Sequence, residues 1–208
     1  MTTWEPSAAL LDELATAQRL GLIGPRALDD HIRHAVGFAT ACGPAPGRAA
    51  DLGSGGGLPA LVLAEMWPST SWTLIERRDR AAGRLDVMIG RLGCHDRITV
   101  HSGDAEVVGR DPGRRGAYDL VTARGFGPPA TTAECGAPLL RVGGLIVVSE
   151  PPSADDRWPA AGLARLGLRR TSEPEDTYFV AEKHEATPER YPRRVGRPRS
   201  RPLWEAPS

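Results

Sequence analysis

The stretch RAADLGSGGGL, residues 48–58, decides the fold of this chain. A short apolar segment leads into four glycines, and the apolar run that follows, Leu58–Met66, predicts a helix. Glycines allow a sharp turn and let the backbone approach a ligand that a side chain would keep away. A helix that begins there offers free N–H groups and a partial positive charge. The stretch therefore predicts a strand, a ligand-binding turn and a helix.

The spacing of these glycines separates two classes of ligand. A dinucleotide-binding loop needs glycines at the first, third and sixth positions, and the sixth is Leu58. The alternative D-x-G-x-G-x-G pattern is complete at Asp51, Gly53, Gly55 and Gly57. Glu76, 19 residues after Gly57, ends the next predicted strand and can accept both ribose hydroxyls of an adenosine. We therefore predict an S-adenosylmethionine site, which disfavours an NAD(P)-dependent oxidoreductase; the simpler interpretation is a glycine-rich turn beside a surface acid.

Outward from this stretch, strand and helix patterns alternate. Apolar segments predict strands at 48–53, 71–76, 97–101, 117–123, 145–150, 168–173 and 177–184. Helical spacing predicts helices at 58–66, 79–92, 129–140 and 158–166, with a turn at Gly143–Gly144 after the third. Strands separated by helices of this length indicate βαβ units, so we expect an α/β, Rossmann-like fold with a mostly parallel seven-stranded sheet and an antiparallel edge strand.

Three segments make up the predicted domain organisation. Residues 1–46 form a small N-terminal helical segment, residues 47–184 form the cofactor-binding domain, and residues 185–208 form a Pro/Arg-rich tail. The tail has six arginines and three glutamates, which gives it a charge of +3. Trp204 could anchor the tail to the core.

Composition excludes several other classes of protein. The 26 basic and 26 acidic residues balance, so the chain carries no global signal for nucleic acid. Its three cysteines are far apart in the sequence, and no Cys/His cluster suggests a metal site. No apolar run of about 18 residues predicts a membrane span, and the first residues do not resemble a signal peptide. We expect a cytoplasmic monomer without a metal.

Polar residues after the third and fourth strands complete the predicted site. Asp104, Ala105 and Glu106 follow the third strand, where a methyltransferase meets the adenine; a solvated acidic loop is the alternative. Arg124 follows the fourth strand and could clamp a carboxylate, a phosphate or a base edge. The same segment has neither an N-P-P-Y motif nor a cysteine, which disfavours exocyclic-amine methylation and covalent activation of a pyrimidine.

Several of these motifs together resemble one family. The motifs that carry this resemblance are DLGSGGGLP, SGDAE, DLVTARGFGP with LLRVGG, RYPRRVGRP and the N-terminal RLGLIGPRALDDHIRHA. Over roughly residues 19–204 the chain resembles the bacterial small-subunit ribosomal RNA guanine-N7 methyltransferases, RsmG or GidB. The resemblance implies a class I methyltransferase fold, S-adenosylmethionine as cofactor, and 16S ribosomal RNA or the small-subunit particle as partner. It also implies that Gly53, Leu58, Ala105, Glu106 and Arg124 lie at or around the cofactor, with Arg124 as the catalytic residue. Arg193, Arg194 and Arg197 of the tail would be available to phosphates.

Three features of the sequence depart from the family pattern. Glu150 stands where family members have a lysine at the end of the fifth strand, the N-terminal segment is short, and either His31 or His34 could correspond to a family histidine. Isolated histidines like these are interpreted first as surface groups. An anion near a phosphate-bearing substrate is unfavourable. The alternatives are therefore a methyltransferase for a small molecule or another acceptor, and a non-catalytic cofactor-binding RNA or assembly factor.

Overall fold

The computed structural model describes residues 4–151, 156–173 and 177–205, and a single mixed sheet of seven strands lies at the centre of these residues. The strands are β1 Arg48–Leu52, β2 Ser71–Glu76, β3 Ile98–Ser102, β4 Tyr118–Ala123, β5 Leu140–Ser149, β6 Leu168–Arg170 and β7 Tyr178–Lys183. Their spatial order is β3-β2-β1-β4-β5-β7-β6. The strands from β3 to β5 are parallel, and β7 runs antiparallel to both β5 and β6. The predicted α/β fold with an antiparallel strand near one edge is confirmed.

The strand order fixes where a ligand can bind. The chain moves outward from β1 through β2 to β3, and then returns to β4 on the other side of β1. The connections after β1 and β4 therefore leave the sheet in opposite directions, and a crevice opens at the carboxyl ends of these two strands. The glycine loop follows β1, and Arg124 follows β4 directly. Both predicted features therefore lie at this crevice.

Helices cover both faces of the sheet. The helices in the described residues are α1 Ala8–Arg19, α2 Leu28–Cys42, α3 Ala60–Met66, α4 Asp79–Arg91, α5 Ala105–Val108, α6 Pro129–Gly136, α7 Ala160–Ala164 and α8 Arg197–Ser200, with a 3₁₀ turn at Ala137–Leu139. The Ser7 hydroxyl caps the start of α1 by accepting a hydrogen bond from the Leu10 amide at 3.2 Å. None of the helices in the described ranges is long and apolar enough to cross a membrane.

The N-terminal helices share a hydrophobic core with the sheet. Leu14 of α1 and Phe38 of α2 are fully buried in the same cluster as Leu74 of β2 and Met88 of α4. Burying side chains of this size stabilises the fold by about 1.5–3 kcal/mol each. A second cluster on the opposite face contains residues of α5, α6 and α7 and packs against Trp204 of the tail. The Trp204 indole also donates a hydrogen bond to the Arg157 carbonyl at 3.0 Å, so the predicted anchor is present.

Some element boundaries differ from the sequence prediction. The predicted turn at Gly143–Gly144 is wrong, because both glycines lie inside β5 at a register shift against β4. A Cβ on Gly144 would lie 3.0 Å from the carbonyl oxygens of Tyr118 and Asp119, so only glycine lets β5 follow β4 this closely. The first βα helix begins at Ala60 rather than Leu58, and the short helices α5 and α8 were not predicted.

Candidate functional site

A cleft of about 420 Å³ opens at the carboxyl edge of the sheet. Strand β2 contributes Glu76, and the glycine loop contributes Gly53. The segment after β3 contributes Asp104, Ala105 and Glu106. The segment after β4 adds a half-buried aromatic ring, Phe126, which sequence reasoning missed. The cleft therefore brings together five of the predicted site residues from three different connections.

Glu76 is fixed at the base of this cleft as an anion. One carboxylate oxygen accepts the Gly55 amide at 2.9 Å, and the other accepts the Arg78 amide at 2.9 Å and the Arg78 Nε at 3.1 Å. Burial raises the pKa of Glu76, but these hydrogen bonds outweigh burial and the net pKa is below the usual range. A carboxylate has about four acceptor positions. Three are taken at 3.1 Å or less, and the fourth contact, from Arg78 Nη2, is long at 3.5 Å, so a ligand hydroxyl can replace it. Arg78, two residues after the predicted acid, belongs to the site as well.

Asp51 lies beneath the glycine loop and does not line the cleft. One of its carboxylate oxygens accepts the Thr122 hydroxyl of β4 at 2.6 Å, and the other has no hydrogen-bond partner among the described residues. Burial raises the pKa of Asp51 to about 7, against the lowering effect of the Thr122 hydrogen bond. In this structure Asp51 joins β1 to β4 below the loop.

The glycine loop opens onto a second, smaller cavity of about 240 Å³. Gly53, Gly55 and Leu58 line one side, and the turn Leu22–Gly24 after α1 lines the other. Gly57 does not line it. Gly57 has φ +93°, and a Cβ at this position would collide with the Leu61 side chain. The contribution of the N-terminal turn was not predicted, since it lies about 30 residues before the loop in the sequence.

Arg124 forms the far wall of this second cavity. Its Nη2 donates to Nδ1 of His31, while Nε2 of His31 donates to the Gly24 carbonyl at 3.0 Å. This arrangement holds the imidazole as its Nε2–H tautomer, which leaves Nδ1 free to accept. His31 is buried, so its interpretation as a surface group is wrong. Burial lowers the pKa of Arg124, although the nearby Asp51 carboxylate opposes this effect.

The other terminal nitrogen of Arg124 is an unpartnered donor. Nη1 is buried and has no hydrogen-bond acceptor within the described ranges. A buried donor without an acceptor costs about 1–3 kcal/mol. A ligand that accepts a hydrogen bond at this point would remove that cost.

A third cavity of about 720 Å³ begins at Arg124 and Gly125 and extends away from the glycine loop. Its walls include His34 of α2 and Tyr178 of β7, whose rings stack at a centroid distance of 5.3 Å. Burial and the charge of Arg124 lower the pKa of His34. Tyr178 donates to the His34 carbonyl at 2.7 Å, which fixes both rings at the cavity wall.

Glu150 also borders the third cavity, but its charge is compensated. The carboxylate forms an ion pair with Arg157 at 3.3 Å. Burial raises the pKa of Glu150, and the nearby charges of Arg157 and Arg170 lower it. The effect of burial is larger, so the net pKa is above the usual range. Arg157, in the segment before α7, therefore neutralises the Glu150 carboxylate, which stands where family members have a lysine.

The three cavities are neighbours that share lining residues. Gly53, Arg78 and Gly125 border both the cleft and the second cavity, and Arg124 with Gly125 borders both the second and the third. In the parts of the chain that the structure describes, no group of three His, Cys, Asp or Glu side chains is arranged to hold a metal ion.

Comparison with known proteins identifies the family. The family model GidB, described as rRNA small subunit methyltransferase G, matches residues 9–160. The chain belongs to this family. It is 38% identical over 183 residues to the ribosomal RNA small subunit methyltransferase G of Roseiflexus castenholzii, covering 83% of this chain and 78% of that protein. It is 32% identical to the enzyme of the same name from Lactobacillus johnsonii, over 74% of this chain and 68% of that protein.

Solved structures agree on the fold of this family member. The O-methyltransferase TomG from Streptomyces achromogenes, solved with S-adenosylmethionine, superposes with a TM-score of 0.60 at 17% identity, covering 88% of this chain and 93% of that chain. A methyltransferase from Geobacter sulfurreducens gives the same TM-score and coverage at 15% identity. The predicted class I methyltransferase fold, the family and the S-adenosylmethionine-dependent enzyme class are confirmed.

The residues at the crevice fit this cofactor. Glu76 provides a fixed anionic acceptor in the cleft, and the backbone of the glycine loop lines the second cavity. An adenosine needs an acceptor for its ribose hydroxyls, and a methionine carboxylate needs donors. Glu76 supplies the acceptor in the cleft, and the guanidinium groups of Arg78 and Arg124 border the second cavity as donors.

Proposed function

We propose that this chain transfers the methyl group of S-adenosylmethionine to N7 of a guanine in small-subunit, 16S ribosomal RNA. The single observation that carries this proposal is the junction at Arg124 and Gly125, where the second cavity adjoins a separate large cavity. Methyl transfer needs a cofactor and an acceptor that approach each other from two sides. A third cavity of about 720 Å³ is large enough to admit a purine base.

Cofactor binding is assigned to the cleft and the second cavity. Glu76, held as an anion by Gly55 and Arg78, accepts the ribose hydroxyls. Asp104, Ala105 and Glu106 border the adenine, and the glycine-loop backbone with Leu58 surrounds the methionine end. When bound, S-adenosylmethionine supplies an electrophilic methyl group on a positively charged sulfur. Asp51 and Gly57 support the loop from beneath.

The acceptor chemistry requires little from the protein beyond alignment. Guanine N7 carries an in-plane lone pair and no proton, so no general base is needed. The Arg124 guanidinium borders the cavity assigned to the base and can donate to the guanine O6, which is adjacent to N7. Holding the two reactants in line can supply about 7–11 kcal/mol of the barrier reduction. Arg124 thus takes the role of the catalytic residue that orients the base.

Exposed arginines around the site favour an RNA substrate. Arg26 borders the acceptor cavity, while Arg77 and Arg199 border the cofactor cleft. All three are exposed. Phosphate contacts position a nucleic acid without reading its sequence. These exposed arginines offer contacts to phosphates at the crevice, although the chain as a whole is neutral and acidic residues line the cleft as well.

Methylation of a small molecule was the main alternative, and Glu150 motivated it. The ion pair with Arg157 compensates that anion, so Glu150 presents no isolated negative charge to a phosphate backbone. The remaining alternative, a non-catalytic assembly factor, predicts cofactor binding without turnover.

The test is transfer of tritiated methyl groups from S-adenosylmethionine by the purified full chain. Three acceptors are compared: small ribosomal subunits from a strain without this enzyme, naked 16S ribosomal RNA, and a small-molecule extract. We expect label in the RNA fraction of the subunits or the naked RNA. Label in the small-molecule extract alone would overturn the proposal in favour of a small-molecule acceptor. Cofactor binding without label in any of the three fractions would favour the non-catalytic assembly factor.

Arg124→Ala provides the matched loss-of-function variant. Removing the guanidinium should lower the transfer rate by about 100-fold, the order of effect seen when an oriented donor is removed from a reaction site. The control is Arg169→Ala, because Arg169 is an exposed arginine on β6 that pairs with Glu182 at 3.0 Å and borders none of the three cavities. The control should retain most of its activity. Equal rates in both variants would remove Arg124 from the reaction.

A further inference from the structure

The C-terminal tail forms one wall of the cofactor cleft. Val195, Gly196 and Arg199 line the cleft together with Glu76 and Ala105. The sequence predicted only that this segment offers arginines to phosphates. Its position instead places tail residues directly beside the segment after β3, which faces the adenine in the proposed function.

Two buried carboxylates hold this part of the tail. Glu134 of α6 is fully buried and accepts three hydrogen bonds from Arg193: from the backbone amide at 2.8 Å, from Nε at 2.8 Å and from Nη2 at 2.6 Å. Glu106, also buried, accepts the Gly196 amide at 3.0 Å. Arg193 is therefore a structural anchor of the tail, and its predicted availability to phosphates is wrong.

Further contacts attach the tail on both sides of this anchor. Arg115 donates to the carbonyls of Tyr191 and Thr187 at 2.7 Å each. The Thr131 hydroxyl donates to the Pro198 carbonyl at 3.1 Å. Thr131 itself lines the cleft, so α6 connects the tail to the cofactor cleft. These contacts place the backbone of residues 191–198 against the body of the domain.

Val195 is the side chain that points to a ligand. It is 53% exposed, and unlike the other exposed valines it borders the cleft. The tail is held firmly on both sides of it, so its exposure is not that of a loose chain end. An apolar side chain beside an acidic edge suits the flat, apolar face of an adenine.

We propose that the tail contributes Val195 to the cofactor site, where it packs on the adenine, and that the Arg193–Glu134 pair positions it. Arg193 is a positioning residue, because it acts through the backbone of the tail. The inference rests on the assignment of the cleft to S-adenosylmethionine but not on the RNA acceptor. The tail is thereby coupled to cofactor binding: the anchored tail holds the ligand, and the bound ligand covers this face of the tail.

The test measures binding, not activity. Calorimetry with S-adenosylmethionine and with 5′-methylthioadenosine, which lacks the amino-acid end, is done on the full chain and on Val195→Asp, Arg193→Ala and Arg194→Ala. Because Val195 lies on the surface, Val195→Asp keeps the test valid even where Arg193→Ala fails to fold. Arg194→Ala is the matched control, since it removes an exposed neighbouring arginine that forms no side-chain hydrogen bond within the described chain.

We expect Val195→Asp and Arg193→Ala to weaken the affinity for both ligands by about tenfold or more, with Arg194→Ala unchanged. Limited trypsin digestion gives a second readout, because the tail contains several exposed arginines. Cofactor should slow cleavage between residues 193 and 201 in the unaltered chain. Wild-type affinity in Val195→Asp together with cofactor-independent cleavage would overturn the proposal. Loss of methyl transfer to RNA with intact binding would instead contradict only the proposed function.

Discussion

At the scale of single residues, the site depends on Arg124 and its partner His31. The sequence nominates Arg124 because it follows a predicted strand at the edge where ligands bind. It cannot show that His31 is the partner of Arg124, because the two residues are 93 positions apart and their contact exists only after α2 packs against β5 and β7. The same limit applies to Glu134 and Arg193, which are 59 positions apart. Pairing partners of this kind follow from tertiary packing.

Gly57 gives a prediction about the loop itself. Gly57→Ala should destabilise the fold by about 1–3 kcal/mol, because a Cβ would require a strained backbone at φ +93° and would collide with Leu61. The control is Gly83→Ala in α4, where a Cβ meets no atom within 4 Å. This substitution should stabilise the helix by about 0.5–1 kcal/mol. Urea denaturation of both variants measures the two effects, and equal stabilities would contradict the account of the loop.

Asp51 gives a prediction about pH. Burial raises the pKa of Asp51 in the folded state to about 7, above the ordinary value of 3.8 for this side chain. Between about pH 4 and pH 7, Asp51 is ionised in the unfolded chain but still protonated in the folded chain. The free energy of unfolding therefore falls as the pH rises through this window. Asp51→Asn removes this effect. Relative to wild type, the variant should therefore gain more than about 1 kcal/mol of unfolding free energy across this window. A constant difference from pH 4 to pH 7 would contradict the raised pKa.

At the scale of elements, local pattern predicts most strands and fails where contacts are not local. Strand β2 was predicted with the bounds that the structure shows, because alternation and flanking turn residues agree there. Strand β5 was predicted too short, because a pair of glycines usually indicates a turn. In the structure Gly143 and Gly144 lie within β5, and Gly144 lets this strand approach β4 closely. Helix α8 was missed because its four residues contain a proline and no apolar stripe.

The attachment of α1 is testable at this scale. Glu13 is buried and pairs with both Arg84 and Arg91 of α4. Glu13→Ala should lower the free energy of unfolding by about 2 kcal/mol or more, because Arg84 is left mostly buried without its carboxylate. Asp12→Ala is the control, since Asp12 is the exposed neighbouring acid. Chemical denaturation compares them, and a Glu13 variant as stable as the Asp12 variant would show that the pair contributes nothing.

At the scale of the whole molecule, charge distribution matters more than net charge. The chain is neutral overall, so its composition gave no indication of nucleic acid. The fold nevertheless gathers exposed arginines around the crevice, among them Arg77 and Arg199. Folding can thus bring exposed arginines together at one surface, which residue counts do not reveal.

This surface predicts salt-dependent RNA binding. The logarithm of the affinity for 16S ribosomal RNA should fall linearly with the logarithm of salt concentration, and Arg77→Ala and Arg199→Ala should each reduce the slope by about one. Arg169→Ala is the control, because Arg169 is an exposed arginine on the edge strand β6 and pairs with Glu182. Filter binding across a salt series measures the slopes. Identical slopes in all three variants would place the RNA elsewhere on the molecule.

The most direct test of the central claim is to identify the methylated atom. Small subunits from a strain without this enzyme are incubated with the chain and S-adenosylmethionine, and the extracted RNA is treated with borohydride and aniline, which cleave at N7-methylguanine. The account predicts cleavage at one guanine of the 16S RNA, dependent on the chain and lost with Arg124→Ala. Methyl incorporation into that RNA without any such cleavage would contradict it.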